Sequence, residues 1–332
     1  MTMTVTRKIF FFFVVFCTTI IGTVIGSVSN AAELTLKQTD KGYDIYIDGQ
    51  LFAGYITDYK GTPIIYPIIG PTKKKMTRDF PMLERNDQTE AKDHPHHRSL
   101  WFTHGDVNGL DFWALEKQKI VHRKFVKTEI DHNTALIVTE NDWLDKENQP
   151  VCSDVRTFRF GVLGAMRFID FDVTVTAVQD SVVFGDTKEG TLGIRVAGTM
   201  DLTAKKRNPN SDWGGHIVNA EGVTDKNAWA KRSAWVDYYG LIEGETLGIA
   251  VLNHPSSFRY PTYWHVRDYG LFAANPFGVH DFEEKAEKTA GEHKMRKGES
   301  FTLRYRILFH KGDAESAGIA EAFQQYILVN SL

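Results

Sequence analysis

Four histidines, one arginine, three acids and two tryptophans crowd into DHPHHRSLWFTHGDVNGLDFW, residues Asp93 to Trp113. An extended backbone from His96 to His104 puts His97, Ser99, Trp101 and Thr103 on one face and His96, Arg98, Leu100, Phe102 and His104 on the other. Leu100 and Phe102 mark the second face as core. The first face then looks into a cleft, where Trp101 stacks on a sugar ring and His97 exchanges a proton near neutral pH. Asp111 and Trp113 close the stretch as further ligand-binding side chains.

A second cluster is GDTKEGTLGIRVAG, in which Asp186, Lys188 and Glu189 precede a strand whose Leu192, Ile194 and Val196 face inward. Glu189, Thr191 and Arg195 share its opposite side, and two acids beside two cations can hold one carboxyl ionised and tune the other. A third, NHPSSFRYPTYWHVRDYGLFAANPFG, sets His265, Arg267 and Tyr269 on one parity and Trp264, Val266 and Phe272 on the other. A proton carrier, an anion clamp and a hydroxyl donor side by side make it the best single candidate for catalysis.

Two reaction classes fit. Hydrolysis of a glycosidic bond needs paired carboxyl groups, from Glu189 with Asp186 or Asp111. Proton abstraction needs a base, His97 or His265, with Arg267 and Lys188 holding the oxyanion. The expected catalytic set is His97, Glu189, His265 and Arg267. Trp101, Asp111, Trp113, Asp186, Lys188, Trp264, Tyr269 and Asn275 are expected to bind substrate. No cofactor is expected, because the histidines alternate in direction and Pro95 stiffens their start. The alternative is a divalent metal on His96 and His97 joined by His254 or His265, serving an oxidase or oxygenase. A non-catalytic glycan-binding module is the other alternative. Phosphate loops, nucleophile elbows and dinucleotide fingerprints are absent from the sequence.

The elements that must carry these residues read as β. YDIYIDGQLFAGYI alternates and turns at Asp48-Gly49, a hairpin signal. RFIDFDVTVTAV sets Ile169, Phe171, Val173, Val175 and Ala177 on one side, and FTLRYRILFH does the same with Phe301, Leu303, Tyr305, Ile307 and Phe309. After Asp313, a predicted N-cap, Ile319, Phe323 and Ile327 recur at helical spacing. Pro71 to Lys92 reads as a long loop or lid. The fold class expected is all-β, a large antiparallel β-sandwich with a C-terminal helix.

At 332 residues, 42% hydrophobic and 24% charged, the chain has the composition of a globular protein. Arg7 and Lys8 precede an apolar run from Ile9 to Ile25 and the small residues Ser29-Asn30-Ala31, which predicts a secretory signal over residues 1–31 and one domain over 32–332. Its removal takes two cations and no acid, moving the formal net charge from −3 to −5, so no nucleic-acid partner is expected. No membrane partner is expected after removal either. Cys17 leaves with the signal, and Cys152 alone cannot form an internal disulfide. The predicted location is the periplasm or the medium.

DHPHHRSLWFTHGDVNGLDFW, FGDTKEGTLGIRVA, WVDYYG and PTYWHVRDYGLFAANPFG together resemble the PmoA-like family over nearly the whole mature chain. Its members are exported bacterial proteins, mostly of unassigned function, labelled after a methane oxygenase subunit. The resemblance implies a companion of polysaccharide and sugar breakdown. It also implies a fold similar to the galactose-mutarotase-like supersandwich, whose sheet presents His, Arg, acid and aromatic side chains to a sugar.

Overall fold

The computed structural model describes residues 1–4, 32–114, 116–131 and 133–329. The predicted signal, apart from its first four residues, lies outside them. The chain begins with five strands, β1 (Leu34–Thr39), β2 (Gly42–Ile47), β3 (Gln50–Ile56), β4 (Ile64–Ile68) and β5 (Leu100–His104). Four long ones follow: β6 (Lys119–Asp131), β7 (Thr134–Leu144), β8 (Pro150–Leu163) and β9 (Met166–Ala177). Next come β10 (Ser181–Phe184), β11 (Gly190–Arg195), β12 (Gly215–Asn219), β13 (Trp235–Ile242) and β14 (Glu245–Asn253). The last are β15 (Tyr263–Val266), β16 (Leu271–Asn275), the short helix α1 (Val279–Phe282), β17 (His293–Arg296), β18 (Ser300–Lys311) and helix α2 (Ile319–Val329).

Two eight-stranded antiparallel sheets result, in the orders β1-β2-β3-β4-β5-β11-β16-β15 and β12-β13-β14-β18-β9-β8-β7-β6, with β10 and β17 as a separate pair. Each sheet is apolar on one face, and the two faces share a single core. Phe102 of the first sheet lies 5.6 Å from Phe171 of the second, and Phe52 lies 5.9 Å from Phe309. The five inward residues expected on β9 and the five on β18 are all in that core. Asp48 and Gly49 turn the β2–β3 hairpin at φ of 50° and 71°. The protein is therefore the all-β antiparallel sandwich with a C-terminal helix that its periodicity predicts.

Ile319 and Phe323 of α2 bury their side chains against Ala250, Leu252 and Leu308 on the outer face of the second sheet, with Ile327 packed at the margin. Asp313 caps a turn rather than the helix itself: its carboxylate accepts the Ser316 amide at 2.8 Å, and α2 starts at Ile319. The strand around Trp101 also begins later than expected. Ser99 takes a φ of 59°, so extended backbone runs only from Leu100. The segment 71–92 is a clamped loop rather than a lid. Buried Arg78 donates to the carbonyls of Phe80, Ala91 and His94, while the Glu90 carboxylate accepts the amides of Asp79 and Phe80. Cys152 is buried and free, and burial pushes its thiol well above the ordinary range. Among the described residues no helix is long and apolar enough to cross a membrane.

Candidate functional site

β5, β11, β16 and β15 lie side by side, and their register aligns Trp101, Gly193, Ala273 and His265 in one row across the first sheet. Their neighbours in sequence, Leu100, Phe102, Leu192, Ile194, Phe272, Ala274, Trp264 and Val266, all point into the core. The row therefore faces outward. Gly193 is small for a reason: a Cβ there would come within 2.5 Å of the Trp101 indole, which lies across it. His97 stacks on that indole at 5.4 Å and Trp113 packs at 5.1 Å, leaving Trp101 only 1% exposed. Trp101 is thus the floor of the site, and its face is not free to stack on a sugar.

His97 is held by Arg195, whose Nη1–H donates to Nδ1 at 2.8 Å. Guanidinium donates only, so Nδ1 carries no proton and the neutral ring is protonated on Nε2. Burial, joined by the charge of Arg195, depresses the His97 pKa well below 6.5. The neutral ring has its one lone pair spent on Arg195, so His97 has no acceptor left for a substrate proton. Asp93 ties the segment together: Oδ1 accepts from Arg195 at 2.8 Å and Arg78 at 2.6 Å, and Oδ2 lies 3.0 Å from His94 Nδ1. The His94 ring lies parallel to the Tyr269 ring at 5.1 Å.

Tyr269 links the three segments. The guanidinium groups of Arg195 and Arg267 sit 5.1 and 5.5 Å from its ring centre, and Arg267 also lies 5.7 Å from the Trp229 ring. The Trp229 indole N–H donates to His265 Nδ1 at 3.1 Å, fixing that ring as the Nε2–H tautomer. Burial, Arg267 and Lys188 together push His265 down to about 3. His265 is therefore a neutral N–H donor at physiological pH, not the proton acceptor expected of it. Glu189 behaves in the opposite sense. Burial raises its carboxyl pKa, with Lys188 opposing and Asp281 and Asp111 reinforcing the rise. Burial likewise raises the Tyr269 hydroxyl, which feels the charges of Arg267, Arg195, Glu189 and Asp93. Residues 94, 195 and 267 of the three segments thus meet around Tyr269, and Glu189 of the second segment carries a carboxyl whose pKa burial raises.

Several expected site residues do other work. Asp186 is buried, and its carboxylate accepts the amides of His280 at 3.1 Å and Gly291 at 2.6 Å, latching α1 to the turn at Gly291. Asn275 donates to the Thr187 carbonyl and accepts the Phe277 amide. Trp264 is a core residue whose indole N–H meets the Ser233 carbonyl at 3.0 Å. Their polar atoms are consumed by backbone, so none is free for a ligand. Asp111 Oδ1 accepts the amides of Trp113 and Ala114, and Trp113 is buried above Trp101. Lys188 stays at the site: its amide donates to Asp281, and its side chain is 41% exposed. His254 packs on Tyr326 of α2, whereas the His96 ring lies 4.5 Å from the His97 ring. Among the described residues, no three His, Cys, Asp or Glu side chains are disposed to hold a metal. Trp229 escaped the sequence reading because it follows a 3₁₀ turn, Asp225–Ala228, with no period to mark it.

A hollow of about 380 Å³ opens beside Arg267, lined also by Lys226, Trp229, Val266 and Asp268. A roomier one, about 530 Å³, lies between Thr57, Lys60, Lys119 and His122, away from these groups.

Residues 42–324 match the model of a family of unknown function, DUF6807. No curated protein matches the chain in sequence. Solved structures similar to it include the galactosidase domain of an alpha-galactosidase–sucrose kinase (9% identity, TM-score 0.43, 84% of this chain and 42% of that one). An alpha-galactosidase from Lactobacillus brevis matches at 9% identity and TM-score 0.41, over 86% of this chain and 40% of its own. A galactose mutarotase related enzyme from Lactobacillus acidophilus matches at 9% identity and TM-score 0.32, over 85% and 95%. The chain thus spans about 40% of the length of either galactosidase, and at these scores no site residue can be paired with theirs.

Proposed function

The chain belongs to the DUF6807 family, and we propose that it is a carbohydrate-active protein that binds a sugar over the outer face of β5, β11, β16 and β15 and exchanges a proton with it through Glu189. The observation that carries this reading is the company Glu189 keeps. A carboxyl whose pKa is raised by burial feels the charges of Lys188 and His94 and acts on the Tyr269 hydroxyl, and the same sheet face carries a neutral His265 that can only donate from Nε2. Such a carboxyl takes and returns a proton nearer neutral pH than an exposed one. His265 Nε2–H and the cations Lys188 and Arg267 are available to an oxygen on which charge develops. The Trp229 ring, which lines the hollow beside Arg267, lies among hydrogen-bonding groups and so suits a sugar, which offers hydroxyls at its rim and C–H at its faces.

Isomerisation or elimination is favoured over hydrolysis with Glu189 and Asp186, because Asp186 is fully engaged by backbone amides. Export through residues 1–31 and kinship with PmoA-like proteins belong to the same proposal. Cell fractionation with sequencing of the mature N-terminus tests the export. The activity is tested by incubating the protein with neutral and acidic oligosaccharides and following products by mass spectrometry. Wild type should convert at least one of them, and Glu189→Gln should bind it without converting it. Binding with no product from wild type would identify a glycan-binding module instead.

A further inference from the structure

The arginines around this site differ in one respect. Arg78, Arg195 and Arg207 each have a carboxylate within 3.0 Å, and Arg98 donates to the carbonyls of His96 and Trp113. Arg267 has no carboxylate within ion-pair distance, and its guanidinium donates no hydrogen bond, among the described residues. It is held by the Trp229 and Tyr269 rings, at 5.7 and 5.5 Å. Aromatic contacts fix the plane of a guanidinium while leaving its N–H groups unused. The nearest acid in sequence, Asp268, is taken by Lys226 at 3.2 Å. The hollow of about 380 Å³ is lined by Arg267 and is of a size that small ligands fill.

We infer that the sugar bound here carries an oxyanion, a carboxylate or a sulfate ester, and that Arg267 receives it in its unoccupied fork. The inference rests on the carbohydrate reading above. Planar, bidentate recognition of an oxyanion is what a preoriented guanidinium does best. Lys188, 3.8 Å from Asp281 and part-exposed, adds a second cation, and His265 adds an N–H. The acids facing the ligand are Glu189, Asp268 and Asp281. Asp268 and Asp281 have cationic partners, so an anion meets little repulsion from them.

Calorimetric titration tests this with three probes of equal length: hexuronate oligosaccharides, the same oligosaccharides after carboxyl reduction, and sulfated neutral ones. The hexuronate or the sulfated probe should bind at least about tenfold more tightly than the reduced one. Whichever does identifies the oxyanion. Arg267→Gln should erase the difference between the probes, and Arg267→Lys should restore only part of it. Equal affinities for all three probes would overturn the inference and leave the carbohydrate reading standing. An acid preference that survives Arg267→Gln would overturn the assignment to Arg267. No binding of any probe would overturn both readings. If Arg267→Gln fails to fold, the wild-type comparison still decides whether the ligand carries an oxyanion, and Arg267→Lys tests the residue.

Discussion

The Trp229 indole N–H donates to His265 Nδ1 at 3.1 Å and so dictates which nitrogen of that ring carries the proton. The consequence reaches function, because a ring locked as Nε2–H offers a donor and no acceptor. Nitrogen NMR at pH 7 should show His265 as a single neutral Nε2–H tautomer, and Trp229→Phe should convert it to a mixture of both. A wild-type Nδ1–H ring would contradict the assignment.

Glu189 sets the expected pH dependence. Its pKa is raised above 4.5 chiefly by burial, so a reaction that needs the carboxylate should have a rising limb of kcat/KM with an apparent pKa above 4.5. The effect on stability has the opposite sense. The folded protein holds this proton more tightly than the unfolded chain, so the stabilisation is complete below 4.5 and is lost as pH rises through the folded value. Glu189→Gln should therefore match wild type in urea unfolding at low pH and exceed it at pH 7.

Gly193→Ala should cost about 1–3 kcal/mol, since the new methyl meets the Trp101 indole at 2.5 Å and the indole is pinned by His97 and Trp113. Urea denaturation followed by tryptophan fluorescence reads both the loss and the displaced ring. An unchanged midpoint would mean that Trp101 does not lie across β11.

Asp93→Asn should destabilise by about 2 kcal/mol, because it leaves Arg78 and Arg195, 1% and 2% exposed, without their shared anion. Solvent moderates the loss, because Asp93 itself is 37% exposed. Burial raises the Asp93 pKa, but Arg195, the His94 hydrogen bond and Arg78 outweigh it and hold the carboxyl below 3.8. This contribution is present above 3.8 and is lost as pH falls through the folded value. The variant and wild type should converge in acid.

Period-two alternation made the sheets legible. The inward residues of β9, β11, β15 and β18 follow from parity alone, as does the outward direction of Trp101 and His265. Parity gives a direction but says nothing of what lies above. Trp101 faces outward and is still buried, because His97 and Trp113 come back over it from outside the strand. Asp186 and Asn275 have the side chains of a polar site, yet spend them on amides and carbonyls of loops distant in sequence. Trp229 lies 36 residues from its partner His265 in a segment without period, so only the folded chain reveals it.

The most direct measurement is the position of a bound sugar in crystals soaked with hexuronate oligosaccharides. The ring should lie over the β5–β11–β16–β15 face, with its acidic group on Arg267 and an oxygen within hydrogen-bond reach of Glu189 and His265 Nε2. Density in the hollow between Thr57, Lys119 and His122, with the Arg267 face bare, would contradict the account.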